Sequence, residues 1–232
     1  MMASTQALDT QGRVAVDNAM RTQRSIRRLK PDPVDDALLL ELIGLALEAP
    51  TGGGRDYAEF VVVKDRAVKA RLARLNRQAW TVYGGVWRVT AGDDAKVQRT
   101  IRAVDWQAEH YEEIPTIVVA CAKLHIEAGI PSGLRLPAPP VYTNILYGSV
   151  LPAVQNLMLA ARVRGLGAGL TVMPLWSTIL ARAALGLPAT VTPLAVVPLG
   201  WPIGHYGPKA RRPAGDAFHL DRYGNQPYKS AE

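Results

Sequence analysis

Hydrophobic residues first recur at helical spacing over 14–24, where Val16, Ala19 and Met20 share a face. Pro33 then precedes a strong helix from about Asp35 to Glu48. Asp35 and Asp36 favour its positive end, Leu38, Leu39, Leu42, Leu45 and Ala46 form its apolar stripe, and Ala49-Pro50-Thr51-Gly52-Gly53-Gly54 stops it. The run Glu59–Val63 predicts a buried strand. Arg66–Trp80 predicts an amphipathic helix, Tyr83-Gly84-Gly85 a loop, Asp93–Glu112 a longer polar helix, and Ile114–Ala122 a second strand. Ser149–Arg164 is apolar around most of its circumference, as a central buried helix must be, and Gly165 is its expected left-handed cap. Beyond it come a strand-like run through Leu170-Thr171-Val172, a helix at Trp176–Leu185, a strand at Pro193–Leu199, and a turn at Gly200-Trp201-Pro202 leading to a tail. Strands separated by unequal helical blocks favour an α+β domain over a regularly alternating parallel sheet.

Residues 123–147 interrupt this pattern. Pro131, Pro137, Pro139 and Pro140 with scattered glycines predict a loop insertion, either a lid or binding loop or a disordered segment. A chain of 232 residues with 48% hydrophobic content can bury one sizeable core, and nothing in it reads as a linker between domains. The expected organisation is a flexible extension over 1–13 and a single domain over 14–232 carrying the 123–147 insertion.

Charge narrows the choice of partners. The formal net charge is +7, and all but one of those charges is matched by two clusters, Arg24, Arg27 and Arg28 early and Lys209, Arg211 and Arg212 late. No further basic excess calls for a nucleic acid. No apolar run reaches the roughly 20 residues that span a bilayer, and the start lacks a charged segment followed by an apolar one, so no membrane partner is expected. The single cysteine, Cys121, lies in the predicted strand Ile117–Ala122 and cannot form an intrachain disulfide, which fits a reducing cytoplasm. His110, His125, His205 and His219 are scattered without metal-ligand spacing, so no metal is assigned.

Two features suggest ligand chemistry. Arg24 to Arg28 combines guanidinium forks, a hydroxyl and free backbone N–H groups at an element boundary, the donor types that converge on a phosphate; solvated surface is the alternative. Gly52-Gly53-Gly54 marks backbone that turns sharply or approaches something closely, or is a plain helix-to-strand loop. Gly165-Leu166-Gly167-Ala168-Gly169 lacks the spacing and the preceding strand of a dinucleotide fold.

Five segments in order resemble the flavin-dependent nitroreductase family: Gln23–Val34, Ala49–Gly53, Phe60–Val63, Ala153–Ala161 with Gly165-Leu166-Gly167, and Pro198–Pro202. The resemblance, from about Ala15 to Tyr223, implies a nitroreductase-like α+β fold with a central mixed or antiparallel sheet flanked by helices, in an intertwined homodimer. It implies FMN in sites built from both subunits. Arg24, Ser25, Arg27, Lys209 and Arg211 would meet at its phosphate, and Pro50, Thr51, Gly52, Gly53, Leu170, Thr171 and Val172 would line its ring. It further implies a two-step, ping-pong reaction in which NADH or NADPH reduces the flavin and a nitroaromatic, quinone or related conjugated acceptor then takes the electrons. The protein supplies no catalytic side chain in this scheme. Tyr142, Asn144 and Tyr147 are candidates for stacking on a flat acceptor, or the tyrosines pack against the dimer partner.

Departures from the family pattern open a second reading. Gln23 stands where an arginine is usual, and Gly54-Arg55-Asp56-Tyr57-Ala58 replaces a stretch with Asn, Gln, Pro and a packed Trp. Asp56 near a reduced flavin would oppose charge build-up, unless Arg55 folds back to compensate. A flavin-binding sequestering or sensing protein with little turnover is therefore the alternative. Reductive dehalogenation or ene-type reduction, with the 123–147 loop as a lid, is a third.

Overall fold

The computed structural model describes residues 9–124, 139–208 and 210–230. Among these, strands Ala58–Val63 (β1), Thr116–Lys123 (β2), Gly167–Ala168 (β3) and Val191–Gly200 (β4) form one antiparallel sheet in the order β1-β2-β4-β3. The helices are Thr10–Thr22 (α1), Asp36–Leu47 (α2), Arg66–Thr90 (α3), Ala95–Glu109 (α4), Pro139–Val163 (α5) and Thr178–Leu185 (α6).

The period-two alternation of strands places the core on both sides of the sheet. Val118, Ala120 and Ala122 of β2 face one cluster with Leu39 and Leu42 of α2 and Val154 and Leu157 of α5. Ile117, Val119 and Cys121 face the other, with Leu72 and Ala73 of α3 and Tyr111. β2 is buried on both faces and therefore reads as a continuous apolar run. Opposite its Ala120/Cys121 step β4 holds an extra residue, Leu194, beside Pro193, which is where a strand tolerates a residue lacking an N–H.

α4 packs chiefly on α3. Its apolar residues Ile101, Val104 and Ala108 close on Trp80 of α3 in a third small cluster. Asp105 locks this hairpin, accepting from Trp80 Nε1 at 2.7 Å and pairing with Arg88.

Several expectations need correcting. Tyr83-Gly84-Gly85 lies inside α3, not in a loop; Gly84 is there because a Cβ would come within 2.8 Å of the Trp80 ring. α5 begins at Pro139, so 139–147 is helix and not part of a loop insertion. Prolines fit a first helical turn, where an N–H has no partner to lose. α1 starts at Thr10, capped by Asp9, within the span expected to be a flexible extension. Leu170-Thr171-Val172 is not a strand; only Thr171 bridges, to Val196. The helix expected from Trp176 starts at Thr178, after a 3-10 turn at Met173–Leu175. Residues 1–8, Lys209 and the 125–138 part of the expected loop lie outside the described residues, as does the side chain of Tyr142.

Candidate functional site

Arg24 to Lys30 runs as extended backbone along the outer edge of the sheet. Ile26 N donates to Ala168 O at 3.0 Å, Lys30 N to Trp201 O at 2.8 Å, and Ile203 N to Arg28 O at 3.0 Å. Ile26 and Leu29 turn inward and are buried, so Arg24, Ser25, Arg27 and Arg28 are left to face out. Glycines in and just after β3 permit this close approach. A Cβ on Gly167 would meet Ile26 and Leu29 at 2.9 Å, and one on Gly169 would sit 3.4 Å from Ser25 Cα. The space that the glycines leave is thus taken by the chain's own arginine segment.

The segment forms the floor of a cleft of roughly 740 Å³. One wall is the tail, with Tyr206, Pro208, Ala210 and Arg211; the other is α4, with Lys96, Arg99, Thr100 and Arg102. Seven lining residues are cationic, and none is acidic. Arg24 donates to Gly207 O at 3.3 Å and lies 5.7 Å from the Tyr206 ring. Arg27 makes no hydrogen bond or ion pair among the described residues. Its pKa is lowered, first by burial and then by the neighbouring charge of Arg24. Burial and a like charge both make an anion a favourable neighbour for this guanidinium.

Arg24, Ser25, Arg27 and Arg211 therefore come together. Leu170 and Val172 are exposed just beyond β3, on the same edge as Ser25. Pro50, Thr51, Gly52 and Gly53 do not line the cleft. Their turn packs on α5, where Gly52 N donates to Ser149 Oγ at 3.0 Å and a Gly52 Cβ would lie 2.9 Å from Ile145. Gly53 and Gly54 have φ of +63° and +66°, so this triplet serves both a sharp turn and a close approach. Asn144 and Tyr147 are exposed on the same end of α5. The expected site residues thus fall in two separate places on the chain.

The departures from the family pattern acquire positions. Gln23 points away from the cleft toward Met158, 3.7 Å from its sulfur, while Arg28 adds a charge to the lining. Tyr57 is buried in the main core, supplying an aromatic filler in the altered turn. Asp56 is not among the residues that line the cleft. The cations of α4 were missed in the sequence; the available signal was their recurrence at every third position, Lys96, Arg99 and Arg102.

With this architecture the chain falls among the nitroreductase-like α+β proteins. The sequence model of the Nitroreductase family matches residues 20–201, and the chain belongs to that family. Iodotyrosine deiodinase from Danio rerio is 26% identical over 190 residues, covering 79% of this chain and 58% of its own length. The chain thus spans little more than half of that curated relative. NADPH:FMN oxidoreductase from Vibrio harveyi, complexed with NAD+, matches with a TM-score of 0.67 at 21% identity, over 90% of this chain and 78% of its own. An iodotyrosine deiodinase bound to FMN and 3-iodo-L-tyrosine gives 0.63 at 19% identity, over 90% of this chain and 98% of that one. At these identities the solved structures establish the fold alone.

Proposed function

We propose that the protein is an FMN-dependent oxidoreductase that draws electrons from NADH or NADPH and passes them to a small conjugated acceptor such as a nitroaromatic or quinone. The observation that carries this reading is the convergence of Arg24, Ser25, Arg27 and Arg211 on one cleft without a carboxylate. That donor set fits a phosphate monoester: guanidinium forks make paired, charge-assisted bonds to phosphate oxygens, and among the described residues Arg27 has no competing partner. Bound there, FMN would supply hydride and electron transfer, which no side chain can perform. The chain's own part is to neutralise the phosphate and hold the ring end near Leu170–Val172. No acid, base or nucleophile is required of it.

The turn at Pro50–Gly53 and the exposed end of α5 belong to the same reading through a second subunit. Val14, Val16 and Met20 of α1, Leu40 and Leu47 of α2 and Val163 of α5 are large apolar side chains open to solvent in the single chain. Such surface favours a partner, and a homodimer would bring one protomer's turn to the other's cleft. Asn144 and Tyr147 then stand where an acceptor enters. The buried thiol of Cys121 suits a reducing cytoplasm.

Flavin occupancy on purification tests this. Arg27→Ala or Arg211→Ala should weaken FMN binding about tenfold or more, the scale of one lost charge-assisted bond. Arg74→Ala, on the exposed side of α3, should leave occupancy unchanged. Equal occupancy in all three variants would refute the phosphate assignment.

A further inference from the structure

The cleft carries more positive charge than one phosphate uses. A phosphate monoester bears about −1.5 to −2 near neutral pH, and Arg24, Arg27 and Arg211 already match it. The α4 wall adds Lys96, Arg99 and Arg102, which meet on one helix face as successive like charges, an arrangement that weakens a helix. Among the described residues none of the three forms an ion pair within 4 Å, and their one side-chain hydrogen bond is Arg99 Nε to Ala95 O of the same helix, at 3.2 Å. The nearby carboxylate, Asp94, caps α4, accepting from Lys96 N at 2.7 Å and Val97 N at 3.2 Å; those bonds and, less, the charges of Lys96 and Arg99 hold its pKa down, so it offsets only part of the stripe's charge.

Lys96 and Thr100 are also a ridge. On its other side lies a second hollow of roughly 470 Å³ walled by Trp87, Val97 and Asp94, and both ridge residues line both spaces. Trp87 is half exposed and fixed edge-to-face against Trp80, with ring centroids 6.1 Å apart. A stripe of three cations against one carboxylate, beside a fixed aromatic ring, suits a phosphorylated nucleoside: charge for the phosphate, a flat surface for the base.

We propose that this part of α4 is a second phosphate subsite, which holds the 2′-phosphate of NADPH on Lys96 and Arg99 while the adenine lies in the Trp87 hollow. The chain then prefers NADPH to NADH, whose ribose offers those cations only a neutral hydroxyl. This inference rests on the reading that a pyridine nucleotide is the electron donor.

The test is calorimetric titration of FMN-saturated protein with 2′,5′-ADP and with 5′-AMP, which lacks the 2′-phosphate. The expected result is about tenfold or greater preference for 2′,5′-ADP, lost in the Lys96→Ala/Arg99→Ala double variant and kept in Arg74→Ala. In turnover, kcat/KM for NADPH falls in the double variant while that for NADH holds. Equal affinities in the native protein, or a preference that survives the double substitution, would overturn the subsite. The two readings fail separately. A protein that holds flavin and bleaches with NADH but shows no 2′-phosphate preference loses only this inference. One that binds no FMN yet prefers 2′,5′-ADP when titrated flavin-free loses the flavin reading and keeps the phosphate subsite.

Discussion

Tyr111 shows how closely this core is packed, and at what cost. Its side chain is fully buried among Leu72, Ala73 and Ile114, and its hydroxyl has no hydrogen-bond partner among the described residues. Tyr111→Phe removes the orphaned polar atom and keeps the ring, so it should leave stability unchanged or raise it by about 1 kcal/mol. A loss of more than that on chemical denaturation would mean the hydroxyl is satisfied in solution. Cys121 is equally enclosed: burial first, and then the charge of Glu59, push its thiol up to about 12. The unfolded chain releases that proton near the ordinary value of about 9 and the folded chain does not, so stability should fall as pH rises from 9 toward 12. A flat profile over that window, or rapid alkylation of the native thiol, would contradict this burial. Cys121 could be read from sequence as interior, since it sits in a continuous apolar run. Tyr111 could not, because it falls at the end of a stretch that reads as a polar helix, and its burial and missing partner depend on what the other elements bring near.

At the scale of elements, α4 shows why the site was only half legible. The Arg24–Arg28 segment concentrates its donors within five residues and Arg211 lies in a second cluster, so composition alone marked them. Lys96, Arg99 and Arg102 are dispersed along a helix whose polar face reads as solvent-facing, and only the hairpin with α3 turns that face into a wall of the cleft. The hairpin was itself obscured, because Gly84 and Gly85 read as a loop while the first of them is the seat of the Trp80 ring. Asp105 joins the two helices through Trp80 and Arg88. Asp105→Ala should therefore cost about 1–3 kcal/mol and raise amide exchange across α4 while β2 and β4 stay protected. Unchanged protection in α4 would show that Asp105 does not hold the wall. Gly84→Ala should act in the same place, forcing Trp80 from its seat at a cost of about 1–3 kcal/mol.

At the scale of the molecule, the fold could be read from the order of its parts. Five modest motifs predicted the nitroreductase-like arrangement, because together they mark a sheet strand, the central helix and the turns and edge segment that join them. The 139–147 helix escaped detection because its prolines look like a break when they are a start. The functional account rests on the cleft, and the visible absorption spectrum of freshly purified protein, taken before and after anaerobic addition of NADPH or NADH, tests it most directly. The account predicts a yellow protein whose flavin bands bleach with pyridine nucleotide and return on adding a quinone or nitroaromatic. A colourless protein that takes up no added FMN would contradict it at the cofactor, and a yellow protein that neither nucleotide bleaches would contradict it at the reaction.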